Sequence, residues 1–327
     1  TQFSKSHVGQ SASPADITMP DPVAWLNGKL IDAAQAAVPV GDLGVVAGAS
    51  VTEFLRTFQH EPYRLAEHLL RLMTSLDLLE FGTQVDESTL RDAVEAVVTH
   101  NHGLIPPHHE LGLIAFVTAG QNLTYLGEAG RGQVSQGTVC VHSFPLPFEL
   151  WAHRYTKGQH LATVSVPPLP GSAVDPRAKH RNRLHWLRAD REARAKHDGS
   201  SSILATTDGL LTETSSGNVF VLNGNRLRTP REGSVLCGIS RTTLIEIAEK
   251  LDMTVEEADL TAEDLAVADE VLTTSTPYCV IPVTHFNGQP IGNGEPGPSF
   301  QRLIAAWSHS VGVDIVRQAE QCAAERK

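Results

Sequence analysis

Leu211-Thr212-Glu213-Thr214-Ser215-Ser216-Gly217-Asn218-Val219-Phe220-Val221-Leu222 runs into Asn223-Gly224, and the spacing predicts an antiparallel hairpin over Val219–Leu222 and Arg226–Thr229. Asn-Gly supplies the positive φ that a two-residue hairpin turn requires. The same signal recurs at Asn27-Gly28 within Ala24–Ile31 and at Asn287-Gly288 after Val280–Phe286. Further strands are predicted over Val45–Phe58, Leu111–Thr118, Val139–Pro145, Leu161–Val166, Ser202–Thr207 and Val271–Thr274. Leu65, Leu69, Leu72, Leu76 and Leu79 stand at helical spacing with charged residues between them. Other helices are expected at Glu87–Thr99, Asn182–His197, Arg241–Leu251 and Phe300–Val311, the last closing the chain. Strands and helices mix without strict βαβ alternation, so the fold class is α+β rather than a doubly wound parallel sheet.

At 327 residues the chain exceeds what one core usually organises, which favours two lobes. Residues 1–20, rich in Ser, Pro and small polar types, are expected to form a flexible arm. A small α/β domain is expected over 21–146, an interdomain linker over 147–157, where the regular patterns break, and a large domain over 158–327. A net charge of −11 argues against nucleic-acid or anionic-membrane partners. Residues 1–20 lack the apolar core of a signal peptide and no stretch is apolar enough to span a bilayer, so a cytoplasmic location follows by default. The four cysteines are far apart and read as reduced, mostly buried thiols. His100–His109 holds four histidines, but Pro106 and Pro107 make a solvated loop the expectation, and no metal site is assigned. There is neither a GxGxxG after a first strand nor a GxxxxGK[ST].

Polar clusters interrupt the apolar second half at Lys179-His180-Arg181-Asn182, Glu213–Asn218 and Ser275-Thr276. A fourth, Cys237-Gly238-Ile239-Ser240-Arg241, stands where a loop enters a helix. Singly, each has a plain explanation. A lysine among polar residues is usually solvated, Glu213 could cap a turn, and Ser240 could be an N-cap. Together they suit one ligand. Helix-start amides, hydroxyls and an arginine bind a phosphate; a carboxylate keeps a pyridine nitrogen protonated; a lysine forms an imine and moves a proton.

These residues, in this order, resemble the class IV aminotransferases, the fold-type IV pyridoxal-phosphate enzymes that include branched-chain and D-amino-acid aminotransferases, (R)-amine transaminases and aminodeoxychorismate lyase. The resemblance runs from about Trp25 to Ile315. It is carried by Trp25–Lys29, by Val51-Thr52-Glu53-Phe54-Leu55-Arg56, by Glu67-His68-Leu69-Leu70-Arg71-Leu72, by Lys179–Leu184, by Leu211–Phe220 and by Gly238–Arg241. It implies a smaller N-terminal α/β lobe, a larger C-terminal pseudo-barrel lobe that binds the cofactor, and a homodimer with its sites near the subunit interface. It also implies pyridoxal 5′-phosphate as a Schiff base on Lys179, with Glu213 at the pyridine nitrogen and Ser216 near the ring. Arg71, the Ile239 and Ser240 amides, the Ser240 hydroxyl, Ser275 and Thr276 would then meet the phosphate.

The expected activity is transfer of an amino group between an amino acid or primary amine and a 2-oxo acid. Thr52 and Phe54 would face the substrate, and Arg56 and Arg131 are the candidate cations for a carboxylate. Val117-Thr118-Ala119-Gly120 lacks the arginine of the D-amino-acid enzymes, and Leu111–Phe116 lacks the Tyr and Arg of the branched-chain enzymes. Lys179-His180-x-Asn182-Arg183-Leu184 is also similar to the lysine segment of aminodeoxychorismate lyase, but Phe54 stands where that group has a threonine, which favours transamination. A non-catalytic homologue acting as a binding protein is a remote alternative, because the cofactor residues are all retained.

Overall fold

The computed structural model describes residues 21–81 and 85–326. The arm expected at 1–20 lies outside the described residues. Two sheets, one in each half of the chain, organise the rest. The first joins β1 (Val23–Leu26), β2 (Lys29–Asp32), β3 (Ser50–Phe58), β4 (Glu61–Pro62), β5 (Leu111–Thr118) and β6 (Val139–Pro145). It is antiparallel and six-stranded, in the order β2-β1-β6-β5-β3-β4.

A short helix, α1 (Leu43–Val46), precedes β3, so the strand expected from Val45 begins at Ser50. The Asp42 carboxylate accepts the Gly44 N–H and so caps that turn into helix. α2 (Leu65–Leu78) and α3 (Glu87–His102) cover one face of the sheet. There Leu69, Leu72 and Leu76 pack on Leu113, Ala115 and Val117. Strand alternation sends the intervening residues to the other face: Thr52 and Phe54 of β3 lie in register with Phe116 and Ile114 of β5.

The second sheet is built from β7 (Gln159–Thr163), β8 (Ser201–Ala205), β9 (Leu211–Thr214), β10 (Asn218–Asn223), β11 (Arg226–Pro230), β12 (Thr254–Ala258), β13 (Glu270–Ser275), β14 (Cys279–Phe286) and β15 (Gln289–Pro290). β10, β13, β14, β7, β8 and β9 follow one another, and β9 pairs back onto β10, so the sheet closes on itself. α4 (Arg154–Lys157), α5 (Leu184–Lys196), α6 (Ile239–Lys250), α7 (Ala262–Ala266), α8 (Pro298–Val311) and α9 (Ile315–Glu325) complete the fold. The hairpin predicted around Asn223-Gly224 forms between β10 and β11.

Several expectations need correction. Residues 147–157, expected to link the two lobes, are themselves packed: Phe148, Trp151, Ala152 and Tyr155 are buried in one core cluster with residues of α6, α8 and α9. The loop Gln121–Gly137 contains two short 3₁₀ turns within Leu123–Gly130, separated by a break at Gly127. The His100–His109 stretch is not fully solvated: His102 and His109 are buried, and Glu325 of α9 bonds the Nε2 atoms of both His108 and His109 at 2.8 and 2.9 Å. Ligand atoms of His108, His109 and Cys322 lie within 4.8 Å of one another. Phe300–Val311 does not close the chain, because α9 follows it and lays Ile315, Ala319 and Cys322 into the core.

All four cysteines are free, and Cys140, Cys279 and Cys322 are buried. Truncating Ile315, which is 1% exposed, tests how far α9 supports the fold. Ile315→Ala is expected to cost about 2–5 kcal/mol, read as a lowered unfolding midpoint in urea.

Candidate active site

β4 pairs only with Thr57 and Phe58, which leaves the first half of the β3 edge without a strand neighbour. Residues 179–181 take that place. The Thr52 N–H donates to the Lys179 carbonyl at 2.9 Å and the Arg181 N–H donates to the Ser50 carbonyl at 3.0 Å, with Val51 and His180 bridged. The Lys179 N–H donates to Ser75 Oγ of α2 at 3.1 Å. Lys179 therefore belongs in sequence to the second half of the chain but is held by the first. Its side chain enters a cavity of about 450 Å³ between the two sheets. Burial drops its pKa from 10.5 to about 8, helped by the Arg71 charge and opposed by Glu53 and Glu213.

Glu213 reaches the same cavity from β9. Burial pushes its carboxyl up to about 7, against the pull of Lys179 and Arg183. Asn218 Nδ2 faces Glu213 Oε2 at 3.5 Å and donates to the Leu236 carbonyl at 2.9 Å, which ties the carboxylate to the loop before α6. Gly238 is required there, because a Cβ would collide with Asn218 Oδ1.

No side chain caps the N-terminus of α6, so the Ile239 and Ser240 amides open into the cavity beside Ser275 and Thr276. Thr274 Oγ1 is buried at the same wall without a hydrogen-bond partner among the described residues. Ser216 lines the cavity and its hydroxyl lies 3.3 Å from Tyr278 Oη.

Arg71 comes from α2. Its Nε and Nη2 donate to the two oxygens of Glu53 at 2.7 Å each, and Nη1 donates to the Cys237 carbonyl at 2.9 Å. Glu53 also meets His68 Nδ1 at 2.7 Å. Burial alone would raise the Glu53 carboxyl, but Arg71 and His68 bring it down to about 2. The guanidinium is thus fixed by a bidentate pair before any ligand arrives. Glu53 and His68 have no place among the expected site residues, although alternation along β3 puts Glu53 on the face toward α2.

Thr52 and Phe54 line the cavity as expected, joined by Ile114. Arg56 does not. Its guanidinium stacks 3.8 Å over the Phe58 ring and donates to the Pro277 carbonyl at 3.0 Å and the Thr57 carbonyl at 3.1 Å. Arg131 is also outside the cavity; its side chain is 83% exposed, 4.0 Å from Glu128. Neither expected carboxylate cation is therefore in reach. Arg181 and Arg183, passed over in the lysine segment, line the cavity instead.

A family model described as Amino-transferase class IV matches residues 50–286. The chain belongs to the class IV aminotransferases. It is 29% identical over 297 residues to the D-alanine aminotransferase of Bacillus licheniformis, covering 87% of this chain and 95% of that protein. It is 26% identical over 313 residues to branched-chain-amino-acid aminotransferase-like protein 2 of Arabidopsis thaliana, of which the match spans 54%. Among solved structures, the branched-chain amino acid aminotransferase of Escherichia coli superposes with a TM-score of 0.80 at 26% identity, over 89% of this chain and 94% of that one. A second branched-chain amino acid aminotransferase, from T.th. and complexed with N-(5′-phosphopyridoxyl)-L-glutamate, gives 0.78 at 26% identity, over 90% and 96%. The aminotransferase has the fold-type IV architecture, and its cofactor is pyridoxal 5′-phosphate.

The donor set fits that cofactor. Open helix-start amides, the partnerless Thr274 hydroxyl and a pre-paired arginine suit a phosphate, a desolvated lysine suits an aldehyde, and a carboxylate stands across the cavity. Only the neutral amine of Lys179 attacks an aldehyde, and its depressed pKa moves that form down to about pH 8. Cofactor uptake by the cofactor-free aminotransferase, followed by visible absorption, is expected to accelerate about tenfold per pH unit below that value and then level off. A rate still rising steeply at pH 10 would contradict a desolvated lysine.

Proposed function

We propose that this aminotransferase transfers an amino group from an amino acid or primary amine to a 2-oxo acid, with Lys179 as its catalytic residue. The observation that supports this most is the enclosure of Lys179 between Glu213 and the open N-terminus of α6 in one cavity. When bound, pyridoxal 5′-phosphate supplies an aldehyde that forms a Schiff base with an amine and a ring that withdraws electrons from the neighbouring carbon. Lys179 Nζ, freed by the incoming amine, would take up the proton of the amine-bearing carbon and release it to the former aldehyde carbon on the other side of the nitrogen. Glu213, as a carboxylate, holds a proton on the ring nitrogen. Arg71, the Ile239 and Ser240 amides, Ser275 and Thr276 would hold the phosphate, and Ser216 would lie near the ring. Thr52 and Phe54 form the substrate wall.

The lyase alternative is less well supported, since the relatives named above are aminotransferases and Phe54 lines the cavity. A mere binding protein would have no use for a lysine desolvated opposite a carboxylate. The working form we propose is a homodimer in the cytoplasm. Leu184 and Leu187 of α5, exposed at 66% and 46%, offer a second copy an apolar surface. No helix among the described residues is long and apolar enough to cross a membrane. We divide the chain into 21–146, 147–157 and 158–327 on the partition of its strands between two sheets.

The purified protein should be yellow, and borohydride should fix the label on Lys179. Lys179→Ala is expected to lower transamination by on the order of 10²–10⁴-fold or more, and Glu213→Gln to lower it while leaving the colour. A panel of amino donors with pyruvate or 2-oxoglutarate should yield new amino acid; pyruvate released from aminodeoxychorismate instead would favour the lyase.

A further inference from the structure

The cavity wall on the β3 side carries a cation that the cofactor donors do not use. In the short ladder between residues 179–181 and β3, Lys179 lies opposite Thr52 and Arg181 opposite Ser50. Residues directly across an antiparallel pair point to the same face, and so do alternate residues along a strand. Lys179 and Arg181 therefore project from one wall, about 6–7 Å apart at their Cα atoms, on the side that bears Thr52, Phe54 and Phe116.

The three arginines of the cavity differ in what holds them. Arg71 is held by Glu53 and the Cys237 carbonyl and is assigned above to the phosphate. Arg183 donates to the Ser215 carbonyl and lies 5.5 Å from the centre of the Trp186 ring. The Arg181 guanidinium has no carboxylate or hydrogen-bond acceptor among the described residues. It lies 5.4 Å from the centre of the Phe116 ring, an aromatic platform that orients the planar group and leaves its N–H fork free. Next to it the wall is apolar: Ile114, and Phe54 packed edge-on against Phe144 at 5.8 Å.

We propose that Arg181 receives the carboxylate of the amino acid and 2-oxo acid substrates, and that the wall of Phe54 and Ile114 takes an apolar side chain beside it. This rests on the aminotransferase reading above and adds the residue that selects its substrates. It replaces Arg56 and Arg131, whose guanidinium groups lie outside the cavity.

The test compares holoenzyme of the wild type, Arg181→Gln and Arg181→Lys, using alanine and leucine of both hands with pyruvate or 2-oxoglutarate. A charged hydrogen-bonding partner is lost, so Arg181→Gln is expected to raise the KM of the 2-oxo acid roughly tenfold to a hundredfold, with kcat at saturation changed by less than about threefold. Arg181→Lys keeps the charge without the fork and is expected to fall between the two. The cofactor's visible band and the melting temperature serve as the control for a purely structural effect. An unchanged KM, or a fall in kcat without a rise in KM, would overturn the assignment. A wild type that stays colourless and transfers no amino group would instead refute the underlying aminotransferase reading.

Discussion

Two backbone hydrogen bonds, Thr52 N–H to the Lys179 carbonyl and Arg181 N–H to the Ser50 carbonyl, hold Lys179 on the sheet of the other lobe. The constraint behind them is the edge of β3. An unpaired strand edge exposes amides and carbonyls that must find partners, and β4 satisfies only its far end. Residues 179–181 complete the remainder, so the register of three residues decides which side chains enter the cavity. Much of the site follows from that register. Lys179 is brought opposite Thr52, its charge loses water, and the neutral amine becomes accessible near pH 8.

Charge burial elsewhere is consistent with this arrangement. A buried carboxylate with one partner removed would be strongly destabilising, so Glu53 is met from two sides, by Arg71 and His68. The pair also keeps Arg71 from swinging away from the N-terminus of α6. Arg56 shows the same logic at the opposite end of β3. Its buried guanidinium finds carbonyls at Thr57 and Pro277 and stacks on Phe58, joining β3 to the loop before β14. The ion pair between Arg64 of α2 and Glu246 of α6 adds a third link between the lobes. Cofactor and substrate thus meet walls that are already braced.

Local pattern was a good guide wherever periodicity and turn chemistry act over a few residues. Leu111–Thr118 and Val139–Pro145 are strands at the expected residues, and the helix expected over Leu65–Leu79 ends one residue earlier. The helix α9 was legible but went unread: its buried residues Ile315, Ala319, Cys322 and Ala323 stand at helical spacing, though only Ile315 among them is large. The segment 147–157 breaks the regular patterns and opens on Pro147, yet Phe148, Trp151 and Tyr155 pack into a core assembled from distant elements.

The sequence by itself determined the α+β class and the succession of motifs, Lys179 among them, that carries the family resemblance, since each is carried by residues close together or by motifs in a set order. Only the tertiary structure decided which arginines line the cavity beside Lys179. Arg56, Arg131, Arg181 and Arg183 are alike in composition, and alternation along β3 even puts Arg56 on the face of Phe54. What separates them is where each guanidinium finds partners: Phe58 and a carbonyl for Arg56, solvent for Arg131, the Ser215 carbonyl for Arg183, and the Phe116 ring for Arg181. Phe58 is only two residues along the same strand, but the Pro277 and Ser215 carbonyls and the Phe116 ring lie far away in the chain and reach these arginines only through the fold.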